Sequence, residues 1–332
     1  MKKILLMGII AVTLLSMTGC NEMQLNLNTS GIYEDEAFKT DVMDWIDKGF
    51  YSDAFEKVDA ALKSGRFDSI EMNEIATKFI EAGVVEEGII ILQTLFYLNP
   101  EMDTFSNNLS WGYYAIADYK LANHYANLAL KIEPNDAIEY VNKGNAVKSL
   151  DDMDEAMIHY DMALEINPNE STAVWGKALT SFDQANYEDA LFYFEKYNAL
   201  SPDDEAATRY YIGKSYEYLE DYETAIQVYT RHYESDPTDT TPLYAIGWIY
   251  ISEYENYEEA LKHFEKIVQY DNEDAWGYLD IAVSLTGLGR TTEACENIKK
   301  AIEIDADMMY ELSYYEAFET LKDLPEYKEI FK

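Results

Sequence analysis

The chain has 332 residues, of which 48% are hydrophobic and 14% aromatic, so it can bury a substantial core and is not a disordered protein. Its 63 acidic residues outnumber its 25 Lys and Arg residues, which gives a net charge of −38 at pH 7. Nucleic acids and anionic lipid surfaces are polyanions that proteins bind through Lys and Arg, so this charge argues against both as partners.

The first twenty residues, MKKILLMGIIAVTLLSMTGC, begin with two lysines and continue as an uncharged apolar run. This run is about 12 residues long, too short for a permanent membrane span but typical of a secretory signal. Its ending, MTGC, resembles the lipobox of bacterial lipoproteins, with Met17 where leucine is usual. The resemblance implies that the chain is cleaved before Cys20 and that this cysteine carries the lipid, including palmitate. A plain signal peptide with an incidental cysteine is the alternative.

Residues 1–19 are therefore predicted to be a lipoprotein signal peptide, and 20–33 a flexible tether. This organisation predicts an extracytoplasmic protein that is anchored to a bacterial membrane through its N-terminal lipid.

Small residues recur at intervals of 34 or 35 from position 54 onward. The series is Ala54, Gly88, Ala122, Ala156, Ala190, Ala225, Ala260 and Ala294. In five of the eight cases tyrosine stands three residues earlier, and in five cases proline stands twelve residues later. A second series of small residues precedes the first by twelve or thirteen positions: Ala76, Ser110, Gly144, Ala178, Gly213, Gly247 and Ala282.

Each interval is predicted to contain a first helix, a short turn, a second helix and a stop marked by proline. The pattern resembles the tetratricopeptide repeat (TPR), over residues 34–308. The resemblance implies an all-α fold, a right-handed superhelical α-solenoid of about eight TPR helix pairs, with capping helices at 309–332. Helices cross closely only where side chains are small, so the two small residues predict the contact within each pair. Met72, Ile75 and Phe79 are predicted to face the core.

Three basic residues, Lys143, Lys177 and Arg209, occupy slots that are normally apolar in this repeat, and their charged ends are expected to extend outward. Cys295 lies far from Cys20 inside a helical pattern. It is predicted to be a small buried hydrophobic residue, and no disulfide framework is expected.

The sequence contains few motifs that would indicate catalysis or metal binding. None of its four histidines pairs with another at a metal-ligand spacing within one helix, and there is no phosphate-binding glycine loop, Cys-x-x-Cys or G-x-S-x-G motif. The acidic runs at 151–155 and 253–259 begin predicted second helices, where the helix dipole favours negative charge, and they lack the glycine of a calcium loop. We therefore predict no enzyme, no cofactor and no metal site.

In the resembled family, the inner curve of the superhelix is the usual ligand surface. It is formed by positions −3, +1 and +4 from the small residue of each first helix, which we call the first-helix face. The predicted ligand groove on this face consists of Asn107, Trp111, Tyr114, Asn145, Lys148, Trp175, Phe182, Tyr210, Lys214, Tyr244, Trp248 and Trp276, the last lying one turn before Leu279. The same rule adds Val141, Leu179, Glu217, Ile251, Leu279, Val283 and Thr286.

Four of the five tryptophans lie in this predicted groove, and exposed aromatic residues are frequent binding hot spots. Burial of the rings between neighbouring first helices is the alternative. Lys148 and Lys214 with Asn107 and Asn145 supply too few donors for a full carboxylate clamp.

These inferences predict a membrane-tethered scaffold or adaptor that binds a partner protein or an extended peptide in an aromatic-lined groove, in the assembly of envelope complexes. The alternative function is a lipoprotein that binds a glycan or another solute by stacking sugar rings on the groove tryptophans.

Overall fold

A computed structural model describes residues 36–330 of the protein. The predicted signal peptide, the tether and Cys20 lie outside the described residues. Within 36–330 the chain is helical and contains no strand. It divides into two compact units between Gly176 and Lys177, and each unit is described by itself.

Sixteen helices form eight consecutive pairs, each with a first and a second helix, as predicted. Up to the division between the units the helices are α1 (Glu36–Asp47), α2 (Tyr51–Ser64), α3 (Ser69–Glu81), α4 (Val85–Leu98), α5 (Asp103–Ala115), α6 (Tyr119–Ile132), α7 (Ala137–Lys148) and α8 (Met153–Ile166). Helix α9 (Ser171–Asp183) contains the division. The second unit continues with α10 (Tyr187–Leu200), α11 (Glu205–Tyr218), α12 (Tyr222–Ser235), α13 (Thr241–Ser252), α14 (Tyr257–Tyr270), α15 (Ala275–Gly287) and α16 (Thr291–Ile304).

Every member of both series of small residues is buried, which confirms that the helices of a pair approach where side chains are small. The predicted core residues Met72, Ile75 and Phe79 are also buried. The closeness of the approach is clearest at Gly213, where an added Cβ would lie 2.5 Å from a ring carbon of Tyr229.

The turn inside each pair has one residue with a left-handed backbone conformation, which lies two positions before the second helix begins. These residues are Gly49, Gly83, Ala117, Asp151, Ala185, Glu220, Glu255 and Gly289, with φ between 49° and 80°. At Ala117 the turn is closed by two hydrogen bonds, from the Ala117 N–H to the Tyr114 carbonyl and from the Asp118 N–H to the Tyr113 carbonyl, both 2.9 Å. This is the hydrogen-bond pattern of a Schellman motif.

The residue after the left-handed one is the N-cap of the second helix. Asp118, Asp152, Asp221 and Asn256 each accept a hydrogen bond from the backbone N–H three residues later. Such caps satisfy one of the free N–H groups at a helix start. The second helices end two residues before a proline in five cases, which agrees with the predicted stops.

After α16 the chain forms short helical segments, α17 (Met308–Glu311), two 3-10 turns (Leu312–Tyr314 and Glu316–Leu321) and α18 (Pro325–Ile330). We call residues 308–330 the C-terminal tail. Phe318 and Leu321 of the tail are fully buried, and they belong to the same hydrophobic cluster as Ile298 of α16. Cys295 is part of this cluster and is buried, as predicted, and burial raises the pKa of its thiol.

The expectation that the basic residues in apolar slots extend outward is wrong for Lys177, which is buried with its Nζ atom 4.6 Å from the centre of the Tyr193 ring. A cation over an aromatic face is stabilised by the ring quadrupole, and the apolar stem packs inside. The charged end of Lys143 is bound to a neighbouring helix, because its Nζ donates a 2.8 Å hydrogen bond to Asn127 Oδ1 of α6. Arg209 donates to the hydroxyl of Ser235.

Candidate functional site

Neighbouring first helices of the first unit contact each other directly through asparagine pairs. Asn108 Nδ2 donates a 2.8 Å hydrogen bond to Asn73 Oδ1, and Asn142 donates in the same way to Asn107, in each case across 35 residues of sequence. In this unit the first-helix face of one pair is therefore bordered by the first helix of the next pair.

In the first unit, Tyr114 is the most exposed aromatic residue of the predicted groove, at 38%. The Ser149 hydroxyl donates to its hydroxyl at 3.5 Å, and its ring centre lies 5.4 Å from that of Tyr119. Trp111 is half-buried and packs against the core of this unit, and Trp175 is also half-buried. These two indole rings are thus neither fully exposed nor fully buried, so neither of the two alternatives describes them.

The polar members of the predicted groove already have partners inside the protein. Asn145 accepts a 2.8 Å hydrogen bond from the Tyr160 hydroxyl, and Lys214 Nζ donates a 2.7 Å hydrogen bond to Glu217. Lys148 is half-buried in the first unit, whereas Lys214 lies in the second. These residues do not form a single cluster of donors within either unit.

Phe182, in the second unit, lies in a cluster of tyrosines. Its ring centre is 5.6 Å from that of Tyr187, 5.4 Å from that of Tyr211 and 6.0 Å from that of Tyr218. Tyr210 is 37% exposed beside this cluster, since its ring centre lies 5.6 Å from that of Tyr211.

Two tryptophans of the groove in the second unit, Trp248 and Trp276, are also partly open to solvent, with 36% and 44% exposure. The Nε1–H of Trp248 donates a 3.0 Å hydrogen bond to Asp280 Oδ2. Because Asp280 follows Trp276 by one helical turn, this bond joins α13 to the same face of α15. Tyr244 of α13 is half-buried and packs against Phe264, and burial raises the pKa of its hydroxyl.

Asp280 is a carboxyl group inside the apolar sequence YLDIAVSL and is 2% exposed. Burial raises its pKa to about 7, against the opposing effect of the hydrogen bonds from Trp248 and from the Tyr315 hydroxyl, which lies 3.5 Å from Oδ1. The ring centre of Tyr315 is 6.2 Å from that of Trp248. The C-terminal tail therefore contributes an aromatic side chain to this face.

The positional rule is wrong for three aliphatic residues. Val141, Leu279 and Val283 were predicted on the first-helix face, but all three are buried. In α15, Leu279 and Val283 are part of a hydrophobic cluster that also includes Phe318 of the tail. Asp280 and Tyr315 were missed. A lone carboxyl in an apolar helix was a usable signal for Asp280, whereas Tyr315 follows no repeat position that the rule considers.

Two family models of the tetratricopeptide repeat match the sequence, one at residues 140–170, 241–274 and 277–308, and the other at 212–243. These matches fall on the fourth and on the sixth to eighth helix pairs. No curated protein sequence matches the chain.

Solved structures show the same fold. The C-terminal part of a TPR repeat-containing protein from Cytophaga hutchinsonii is 15% identical, with a TM-score of 0.58 over 70% of this chain and 95% of that one. A tetratricopeptide repeat protein from Parabacteroides merdae is 17% identical, with a TM-score of 0.53 over 75% of this chain and 98% of that one. These identities support the fold alone.

None of the helices within 36–330 is long and apolar enough to cross a membrane. The buried small residues, the turn in every pair, the matching family models and the similar solved structures agree with one another. The chain contains tetratricopeptide repeats in tandem.

Proposed function

We propose that the protein is a membrane-tethered scaffold that binds an extended peptide or a partner protein on its first-helix face. The observation that carries this proposal is the partial exposure of Tyr210, Trp248 and Trp276 on the face of the second unit. Because Trp248 is already fixed by its hydrogen bond to Asp280, little side-chain entropy is lost when a ligand packs on it. The scaffold acts by binding and carries out no catalysis.

A protein ligand is favoured over a glycan because Trp111 and Trp175 are half-buried, so only two of the four groove tryptophans, Trp248 and Trp276, are open enough to stack on sugar rings. Aromatic rings accommodate apolar side chains of a peptide as well as they stack on sugars. The net charge of −38 would also speed the encounter with a basic partner.

The test compares two aromatic residues of the second unit. Peptides are selected from a random library on the full chain, and their dissociation constants are measured for the wild type, Trp276→Ala and Phe192→Ala. Phe192 is 60% exposed but lies on a second helix, α10, so it is a matched control. We expect binding at least tenfold weaker for Trp276→Ala and unchanged for Phe192→Ala. Equal affinities for all three proteins would contradict the proposal.

Glycan binding is the second candidate, and Trp248 with Trp276 is the observation that favours it. Tryptophan fluorescence is titrated with a panel of oligosaccharides under the conditions used for the selected peptides. We expect a saturable change with the peptides and none with the sugars. A saturable change with a sugar that disappears in Trp276→Ala would favour the glycan function.

The tether is the remaining part of the proposal, and it rests on the sequence before the described residues. We propose that Cys20 carries the lipid. Cells that express the wild type, Cys20→Ser or Cys295→Ser are labelled with palmitate, and membranes are separated. We expect label and membrane association in the wild type and in Cys295→Ser, since Cys295 is buried, and neither in Cys20→Ser. Label that persists in Cys20→Ser would contradict lipid attachment there.

A further inference from the structure

Glu139 of α7 is a fully buried acidic residue with 0% exposure. Neither of its carboxylate oxygens has a hydrogen-bond partner within the part of the chain that the structure describes. Burial of an unpaired carboxylate is strongly unfavourable, so such a group requires either a proton or a counterion.

The other repeats show that packing does not require a carboxyl group in this slot, five residues before the small residue of the first helix. The equivalent residues from the third pair onward are Phe105, Ala173, Thr208, Pro242 and Gly277, all of them buried. Glu71 holds the slot in the second pair, but it is half-buried. Glu139 is thus an acidic residue in a slot that the fold fills with small or apolar side chains.

Two further carboxylates converge on Glu139 in the first unit. Asp103 is the first residue of α5, and Asp136 is the N-cap of α7. One oxygen from each of the three side chains lies within 4.8 Å of the other two. Asp103 and Asp136 are both half-buried, so the group can be reached from solvent. Within the described residues, no Lys or Arg forms an ion pair with any of the three.

This spacing fits one divalent cation. Calcium binds oxygen ligands at about 2.3–2.6 Å in flexible geometry, so two of its ligand oxygens can lie up to about 5 Å apart. Magnesium requires about 2.0–2.1 Å and a near-ideal octahedron, which this group would reach only by contracting. A cation would also offset the mutual repulsion of the three carboxylates.

We propose that Asp103, Asp136 and Glu139 bind a calcium ion that bridges the first helices of the third and fourth pairs. The ion is held by one oxygen from each side chain, and water completes its coordination shell. The sequence predicted no metal site because Asp103 and Asp136 are 33 residues apart and match no local calcium-loop spacing. Only the stacking of the two pairs brings them together.

The test uses the full chain after treatment with a chelator. Calorimetric titrations with calcium chloride, and separately with magnesium chloride, are made at constant ionic strength for the wild type, Glu139→Gln and Glu71→Gln. Glu71→Gln removes an acidic residue from the same repeat slot in α3 and is the matched control. We expect one calcium ion to bind the wild type and Glu71→Gln with equal affinity, in the range of about 10⁻⁵ to 10⁻³ M. Glu139→Gln should bind at least tenfold more weakly, and magnesium should bind the wild type more weakly than calcium.

Thermal unfolding gives a second readout. Calcium should raise the Tm of the wild type and leave that of Glu139→Ala unchanged, because Ala173 shows that alanine packs in this slot. Absence of calcium binding by the wild type would overturn the proposal and indicate that Glu139 is held in its protonated form. Unchanged affinity in Glu139→Gln, or an equal Tm response in Glu139→Ala, would also overturn it.

Discussion

The aromatic ring of Tyr160 lies against the backbone of Gly144, so closely that a Cβ added to the glycine would be 2.6 Å from the ring atom Cε1. Gly247 and Phe264 have the same relationship, with a distance of 2.4 Å. In both pairs the aromatic residue stands four positions after the small residue of the second helix. A large ring on one helix is thus accommodated by a missing side chain on the other.

Gly213 and Tyr229 repeat this relationship and provide a test. Gly213→Ala should lower the free energy of unfolding by about 1–3 kcal/mol, because the added Cβ forces the Tyr229 ring to move. The double variant Gly213→Ala with Tyr229→Leu should lose less than the sum of the single losses. Urea denaturation followed by circular dichroism measures these differences. Strict additivity would show that the glycine and the ring are not coupled.

The pH dependence of stability should reflect Asp280. The pKa of Asp280 is about 7 in the folded protein and near 3.8 in the unfolded chain. Its contribution to the free energy of unfolding is therefore fully present below pH 4 and is lost as the pH rises through 7. Asparagine resembles the protonated acid and does not titrate. The stability of Asp280→Asn relative to wild type should therefore increase by about 2 kcal/mol from pH 5.5 to pH 8. Urea titrations of both proteins at each pH test this, and a constant difference would contradict it.

Ala185 has a left-handed backbone conformation, and its replacement by glycine should stabilise the protein. Ala185 has φ of 60°, a conformation that costs an L-residue roughly 1–2 kcal/mol and glycine almost nothing. Ala185→Gly should therefore raise the free energy of unfolding by about 0.5–1 kcal/mol after the greater entropy of glycine in the unfolded chain is subtracted. Ala190→Gly is the control, because it places glycine inside helix α10 and should be destabilising. Thermal unfolding measures both changes, and a fall in Tm for Ala185→Gly would contradict the prediction.

The N-cap of α12, Asp221, should make a measurable contribution to the free energy of unfolding. The Asp221 carboxylate accepts a 3.2 Å hydrogen bond from the Thr224 N–H. Asp221→Ala should cost about 1 kcal/mol, whereas Asp221→Asn keeps an acceptor and should cost much less. Chemical denaturation of the two variants gives the comparison. Equal losses would attribute the effect to charge and not to the hydrogen bond.

The C-terminal tail should depend on Phe318, which is fully buried against the eighth helix pair. Phe318→Ala should cost about 3 kcal/mol and should increase hydrogen exchange in α15 more than in α11. Thr320→Ala is the control, since Thr320 is exposed on the same 3-10 turn. Unchanged exchange in α15 would show that the tail does not protect this helix.

Much of the fold was predictable because each repeat encodes it locally. The tyrosines that precede the small residues, such as Tyr187 and Tyr257, are the first residues of second helices. The left-handed turn residues were not predicted, although they recur with the same period. At Glu220 and Glu255, for example, the conformation is imposed by the hydrogen bonds of the turn and not by glycine.

The candidate site was less predictable, because a rule of sequence offsets places a residue on a face without determining what covers that face. Leu279 and Val283 are buried in a cluster that includes residues of the tail, whose short 3-10 turns have no helical periodicity to reveal their packing. The convergence of Asp103 with Glu139 has a similar cause, since it depends on contact between two helix pairs.

The way the tail packs also has a consequence for self-association. A chain that ended after α16 would leave the side chains around Ile298 uncovered, and they would form an exposed apolar surface that is prone to association. Another copy could dock its own helices there, and a head-to-tail contact of this kind that does not close into a ring grows into a filament. Residues 308–330 therefore cover an apolar surface that would otherwise be open to such a contact.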